Sequence, residues 1–143
     1  MNIASKTVIM NLSGSAGGVT TLTGSVDCKG FGYAQIMVVA NSTAAVHTTS
    51  SNNALEESDD NLAYSAIAAA ASGTGYTPTT VTVASTGPKI IYNVDLRGRK
   101  RYLKVTAGLA ATATGVGLIA HLTKGADAPS STSEQGASYA ANI

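Results

Sequence analysis

Residues 89–106 read KIIYNVDLRGRKRYLKVT, and this stretch contains two segments in which apolar and polar side chains alternate. A period of two is typical of β-strands with one buried face. The side chains on the two predicted inward faces are Ile90, Tyr92, Val94, Leu103 and Val105. The stretch therefore predicts two strands, separated by a basic turn, that each contribute one face to a core.

Short β-rich segments of the same kind recur along the chain, separated by clusters of Gly, Ser, Thr, Asn and Pro. The predicted strands are residues 7–12, 19–23, 31–40, 53–57, 80–83, 89–95, 102–106 and 116–123. The apolar run 36–40 predicts a central strand that is covered on both sides, and residues 53–57 predict a polar edge strand. The pattern as a whole predicts an all-β protein, a single-domain antiparallel β-sandwich of about eight strands.

Two segments do not fit the alternating pattern. The alanine-rich run 66–71 favours one turn of helix, although a run this short is marginal without packing. From residue 125 the chain becomes polar and small, and it cannot bury enough apolar area to fold on itself. We therefore expect a β-sandwich domain over residues 1–124, followed by a short extended C-terminal tail or arm, residues 125–143, that contacts a neighbour.

Charged residues make up only 12% of the chain, against about 25% in typical proteins, and the formal net charge is +1. A surface with so little charge is easier to understand if large areas of it face partner chains. The small net charge also argues against a general polyanion binder, so nucleic acid is not the expected partner. Composition thus favours a homo-oligomer or a lattice component.

Cys28 is the single cysteine, so the fold contains no internal disulfide and the expected role of this residue is a small core side chain. The N-terminal residues show no export signal, and about 18 successive apolar residues, as a membrane span requires, occur nowhere. We therefore expect no membrane partner.

The charged residues that are present are clustered. Five of the nine basic residues lie within residues 97–104, and four of the eight acidic residues lie within residues 56–60. Such segregation predicts two complementary surfaces that meet a partner, because opposite patches steer and register contacts. The candidate partner-contact residues are Arg97, Arg99, Lys100, Arg101, Glu56, Glu57, Asp59 and Asp60. Asp95, two residues before Arg97, is expected to bond within the turn.

Catalytic chemistry is not predicted. His47 and His121 lie outside any recognised nucleophile or metal motif, so we expect structural roles for both. The acidic run lacks the spacing and the glycine of a calcium-binding loop. We therefore predict that the chain is not an enzyme, and we assign no catalytic residue, no cofactor and no metal ligand. An alternative is single-strand binding, in which Tyr92 and Tyr102 stack bases beside the arginine cluster.

Three segments together resemble the capsid decoration proteins of tailed bacteriophages, which are also called cement or head auxiliary proteins. The resemblance covers most of the chain and lies in the order and spacing of these segments. They are residues 24–31 (GSVDCKGF), residues 55–60 (LEESDD) with 64–67 (YSAI), and residues 92–105 (YNVDLRGRKRYLKV). The C-terminal residues 128–131 (APSS), with Gly136 behind them, look similar as well.

This resemblance implies a jelly-roll-like β-sandwich that binds the outside of an assembled phage capsid. It also implies a homotrimer that is seated where subunits of the major capsid protein meet, and a location on the capsid exterior of the virion after assembly in the host cytoplasm. Two alternatives remain open at this point. The chain could be a shell-forming or head-fibre jelly-roll capsid protein, or a single-strand nucleic-acid-binding β-barrel.

Overall fold

The computed structural model describes residues 5–15, 21–40, 46–47, 55–67, 80–81, 87–109, 114–124 and 139–142. These residues form eleven β-strands, and none of them is helical. The strands are β1 Ser5–Ser15, β2 Thr21–Asp27, β3 Tyr33–Ala40, β4 Val46–His47, β5 Leu55–Ser58, β6 Ser65–Ala66, β7 Thr80–Val81, β8 Gly87–Asp95, β9 Tyr102–Leu109, β10 Thr114–Thr123 and β11 Tyr139–Asn142.

The strands form two sheets. The first sheet has the order β1-β10-β3-β8-β11, in which all neighbours are antiparallel except β11, which runs parallel to β8. In the second sheet, β9 pairs with β2 along one edge and with both β4 and β5 along the other, and β7 and β6 pair with β4 and β5. Apart from β11, both sheets are therefore antiparallel.

Two strands of the second sheet are each interrupted by an insertion. His47 pairs with Gly108 and Leu55 pairs with Val105, so β4 and β5 follow each other along one edge of β9. In the same way, β6 pairs with β5 and β7 pairs with β4, so β6 and β7 follow each other along the next position in the sheet. Counted this way, the fold has two four-stranded antiparallel sheets, with β11 added beside β8. The chain changes sheet at most connections, which is consistent with the jelly-roll-like sandwich that the family resemblance implied.

The core lies between the two sheets and is built from the predicted inward faces. Ile90, Tyr92, Val94, Leu103 and Val105 are each at most 1% exposed. Alternate residues of the neighbouring strands complete the cluster, among them Ile36, Val38, Leu55, Leu118 and Leu122. Each such side chain stabilises the fold by about 1.5–3 kcal/mol relative to an exposed position. The strand predictions from alternation are therefore confirmed for β8, β9 and β10.

Three predictions from local sequence differ from the structure. β3 is central in its sheet, but only one of its faces is fully buried, since Met37 and Val39 on the other face remain partly exposed. β5 has partners along both edges, so the expectation of an edge strand over residues 53–57 was wrong. Ser65–Ala66 forms β6 rather than the start of a helical turn, and residues 68–71 lie outside the described residues.

The predicted C-terminal tail contributes one strand to the sandwich. Residues Tyr139–Asn142 form β11 and pair with residues 90–93 of β8 in the same chain. The part of the tail between residues 125 and 138 lies outside the described residues. Contact of the tail with a neighbouring subunit stays a prediction.

Strand β1 carries a β-bulge at Met10, because the pairing with β10 shifts register between Ile9 and Asn11. A bulge bends its strand and increases the local twist. Beyond the bulge, the Asn11 Nδ2 donates a hydrogen bond of 2.6 Å to the Thr23 carbonyl of β2. Gly24 of β2 faces the bulge, where an added Cβ would lie 2.7 Å from the Met10 Cβ. The close approach of β1 and β2 therefore requires glycine at position 24.

Substitution Gly24→Ala should destabilise the protein, because two Cβ atoms cannot approach this closely without displacing a strand. We expect a loss of about 1–3 kcal/mol in the free energy of unfolding, measured by urea denaturation, as is typical of overpacking. Ser25→Ala, at an exposed position on the same strand, is the control and should change stability by less than about 0.5 kcal/mol. Equal stability of Gly24→Ala and the wild type would contradict this account of the bulge.

Candidate interaction surface

Three loops meet at one end of the sandwich, and we call this the charged end. They are residues 28–32 between β2 and β3, residues 59–64 between β5 and β6, and residues 96–101 between β8 and β9. The register brings them together. Tyr102 pairs with both Asp27 and Ser58, and Tyr33 pairs with both Asp95 and Thr123.

Backbone hydrogen bonds hold two of these loops against each other. The Cys28 N–H donates to the Arg101 carbonyl at 2.8 Å, and the Leu96 N–H donates to the Gly32 carbonyl at 3.0 Å. The Gly32 N–H in turn donates to the Thr123 carbonyl at the end of β10, also at 3.0 Å. Because both loops cross from one sheet to the other, these bonds give the charged end a defined backbone frame.

Most of the charge of the protein is collected here. Eight of the nine basic and six of the eight acidic residues lie in these loops, within three residues of the adjoining strand ends, at the start of β1, or directly after β10. They are Lys6, Lys29, Arg97, Arg99, Lys100, Arg101, Lys104, Lys124, Asp27, Glu56, Glu57, Asp59, Asp60 and Asp95. By contrast, the sequence stretches that follow β1, β3, β7 and β9, residues 16–20, 41–45, 82–86 and 110–113, contain no charged residue.

The acidic and basic clusters predicted from the sequence lie side by side within one chain. The Lys100 N–H donates to Glu57 Oε2 at 3.2 Å, and the Lys100 Nζ lies 3.5 Å from Asp59 Oδ2. Glu56 pairs in register with Lys104, and their side chains form an ion pair of 2.5 Å. The acidic cluster therefore neutralises part of the basic cluster, and the two do not form separate surfaces.

The Glu56–Lys104 pair is the best shielded of the four ion pairs among the described residues. Its side chains are only 18% and 25% exposed, and the Lys104 Nζ also lies 4.4 Å from the centre of the Tyr64 ring. Exposed ion pairs contribute little because solvent screens them, whereas partial burial and a cation–π contact strengthen this one. It therefore ties β9 to β5 and to the loop of residues 59–64, which we call the acidic turn.

Arg97 bonds within its own turn, as the sequence predicted. Its guanidinium makes two-pronged contact with the Asp95 carboxylate, and its backbone N–H donates to Asp95 Oδ1 at 3.0 Å. These hydrogen bonds lower the pKa of Asp95 to about 2. The bond from the Arg97 side chain has the larger effect, and the bond from its backbone N–H the smaller one. Gly98 adopts a φ of 80°, which the turn needs and which residues other than glycine rarely adopt.

Arg101 bonds to Asp27, a residue that was absent from the sequence-based candidates. Its Nε and Nη2 atoms lie 3.0 and 2.6 Å from the two Asp27 carboxylate oxygens. The side-chain hydrogen bond to Arg101, with a second bond from the Lys29 backbone N–H, lowers the pKa of Asp27 to about 2. No local signal reveals this pair, because its members are separated by 74 positions in the chain.

Asp60 has an intrachain role in the acidic turn. Its carboxylate accepts hydrogen bonds from the backbone N–H groups of Leu62 and Ala63 and from the Ser58 hydroxyl. These bonds lower the pKa of Asp60 to about 2, and the two backbone N–H groups have a larger effect than the Ser58 hydroxyl. Asn61 follows with a φ of 63°, a conformation that asparagine tolerates better than most residues. The turn is therefore closed by hydrogen bonds from its own side chains.

A cleft of about 480 Å³ opens between the two sandwich-crossing loops. Cys28, Phe31 and Leu96 form its apolar floor, and Lys29, Arg99, Lys100 and Arg101 line it with positive charge. Arg99 and Lys29 have no side-chain hydrogen bond or ion pair within the described part of the chain. Of the cations predicted to contact a partner, Arg99 is thus the one that the described residues leave available. Lys29 and Phe31 were not predicted, because neither stands in a charge run.

The remaining sequence candidates have other surroundings. His121 bonds to the Thr7 hydroxyl across the β1–β10 pair at 3.0 Å, and His47 belongs to β4, where its backbone pairs with β9. Tyr92 is 1% exposed and lies in the core, so it cannot stack on a base as the nucleic-acid alternative required. Among the described residues there is no cluster of three metal-ligating side chains. No helix of sufficient length and hydrophobicity to cross a membrane occurs in those ranges.

No protein-family model matches the sequence, and no curated protein matches it either. The fold is similar to that of the SPBc2 prophage-derived protein YomS, with a TM-score of 0.50 and 12% sequence identity, over 86% of this chain and 96% of that chain. A looser likeness, with a TM-score of 0.41 and 12% identity, links 85% of this chain to 18% of the enzymatically active domain of tailspike protein 4 from bacteriophage CBA120. At this identity, the likeness to YomS shows a shared fold.

The ion pair between Asp27 and Arg101 should make stability depend on acid pH. Because the Asp27 pKa falls from 3.8 to about 2 on folding, the pair stabilises the protein above about pH 4, and this contribution is lost as the pH falls toward 2. Asp27→Asn should therefore lower the urea midpoint at neutral pH and have little effect at pH 2. The same substitution in an Arg101→Gln background is the control, and it should have a much smaller effect at neutral pH. A destabilisation by Asp27→Asn that is independent of pH would contradict this interpretation.

The Cys28 thiol should be almost inert in the folded protein. It is 5% exposed, and its burial, assisted by the nearby Asp27 charge, raises its pKa from 9.0 to about 12. Since the thiolate is the reactive form, alkylation by iodoacetamide near pH 8 should be about a thousandfold slower than in urea, as followed by mass spectrometry. Equal rates in the two conditions would show that the floor of the cleft is not packed as described.

Proposed function

We propose that this chain is a structural protein of a tailed-phage particle, of the capsid decoration type. It joins the outside of the assembled capsid and bridges subunits of the major capsid protein. The observation that carries the proposal is the jelly-roll fold, which matches a prophage-derived protein over 86% of this chain and 96% of that one. The sequence resemblance to decoration proteins points in the same direction.

The distribution of charge supports an oriented attachment. Most charged residues are collected at one end of the sandwich, and the sequence stretches that follow β1, β3, β7 and β9 carry none. Complementary charge fixes the orientation of a contact and speeds association more than it adds affinity. The charged end, with Arg99 and Lys29 at its cleft, is therefore the surface that we assign to the major capsid protein.

A decoration protein needs no catalytic group, because it acts by binding the assembled shell and thereby stabilising it. Whatever binds only the assembled shell stabilises that state by mass action. A homotrimer that contacts several capsid subunits at once also gains from effective concentration, since the second and third contacts become intramolecular. Weak individual contacts can thus hold the protein on the outer surface of the particle and resist the opening of the shell.

Cosedimentation with capsids that lack the protein tests the proposal. We expect saturable binding, with a fixed number of copies per major capsid subunit, and an increase in the temperature at which the particle opens. The charge-reversed variant Arg99→Glu should occupy fewer sites and be more sensitive to salt. Lys89→Glu reverses the one basic residue that lies outside the charged end, in the first part of β8, and is the matched control.

Three outcomes would contradict the proposal in different ways. Self-assembly of the purified chain into closed particles would make it a shell-forming subunit. Salt-dependent binding to single-stranded nucleic acid, without binding to capsids, would favour the nucleic-acid alternative. Turnover of a substrate that is lost on substitution of His121 would indicate an enzyme.

A further inference from the structure

The cleft at the charged end combines two kinds of surface in one concavity of about 480 Å³. Its floor is apolar, with Leu96 9% exposed and Phe31 partly exposed while packed against the core. The described part of its lining carries four cations and no carboxylate. The volume lies within the range of pockets that bind small ligands or a few residues of a peptide, about 300–1,000 Å³.

The cations of the cleft differ in how far their charge is already neutralised. Arg101 is held by the Asp27 carboxylate, and the Lys100 Nζ lies 3.5 Å from Asp59 Oδ2. Arg99 and Lys29 have no such partner among the described residues. The cleft therefore presents two cations that no carboxylate of the described residues holds by a hydrogen bond or ion pair, together with an apolar floor.

This arrangement fits a peptide better than it fits nucleic acid. Single strands are usually bound by a series of exposed aromatic rings along a basic groove. Among the described residues, Phe31 is the only aromatic side chain that lines this cleft, and Tyr92 is buried in the core. An acidic peptide can satisfy both surfaces at once, because its carboxylates reach the rim while a large apolar side chain covers Phe31 and Leu96.

We propose that the cleft formed by Phe31, Leu96, Lys29 and Arg99 binds a short acidic segment of a partner protein that carries a large apolar side chain between its carboxylates. Two charge-assisted contacts fix the register of the segment, and the apolar side chain supplies most of the buried area. The identity of that partner as a capsid subunit rests on the proposed function. The chemistry of the bound segment does not.

The test uses the full chain, labelled with ¹⁵N, and a capped peptide of the sequence Asp-Leu-Glu-Phe-Asp. Titration should shift the backbone amide signals of Gly30, Phe31 and Arg99 in a saturable way. The double variant Lys29→Gln/Arg99→Gln should bind about tenfold more weakly, as expected for the loss of two partly exposed charge-assisted contacts. Lys124→Gln removes a cation outside the cleft and should bind like the wild type. The double variant Lys29→Gln/Arg99→Lys, which keeps a positive charge at position 99, should recover part of the affinity.

Several results would overturn this inference. They are the absence of shifts at the cleft, equal binding of a neutral peptide with Asn and Gln in place of Asp and Glu, and equal affinity of the double variant. Tighter binding of an oligothymidylate at the same amides would replace the peptide with nucleic acid.

Failure of this inference can be distinguished from failure of the proposed function. If the wild type cosediments with capsids but the acidic peptide does not bind at the cleft, the cleft assignment is wrong and the decoration function stands. If the acidic peptide binds but the wild type does not cosediment with capsids, the cleft assignment stands and the decoration function is wrong.

Discussion

Strand β9 is the element on which the rest of the structure depends, because its backbone pairs with three other strands. β2 lies along one edge of β9, and β5 and β4 share the other. Tyr102 is therefore flanked by Asp27 and Ser58, and the loops that follow these two residues emerge at the same end of the sandwich. A shift of β9 by one residue would turn Leu103 and Val105 out of the core, so burial fixes the register.

The charged end is a consequence of that register. Once the acidic turn and the basic loop emerge side by side, most of their charges bind each other, as the contacts of Lys100 and Lys104 show. Arg97 and Arg101 are held by carboxylates as well. Of the cations at the cleft, Arg99 and Lys29 are left available for a partner by the described residues. The clustered charges thus stabilise the loops first and leave a smaller surface for recognition.

Sequence reasoning succeeded where a structural feature depends on near neighbours. The inward faces of β8 and β9 followed from alternation, and the bond between Asp95 and Arg97 followed from their spacing. It failed where a feature depends on strand pairing. Residues 53–57 are polar enough for an edge strand, yet β5 has partners along both edges. Polarity reports exposure of the side chains, whereas edge position depends on which backbones lie beside the strand.

The sequence by itself determined the β class of the fold, the residues that form its core and the turns that are closed by their own side chains. These features arise from a period of two and from contacts over two or three positions, both of which are visible in a linear chain. Only the tertiary structure decided that Asp27 holds Arg101, that Glu56 holds Lys104, and that Phe31 and Arg99 line the same cleft. These contacts join residues far apart in the chain, and the register between strands, set by burial of the core, brings them together.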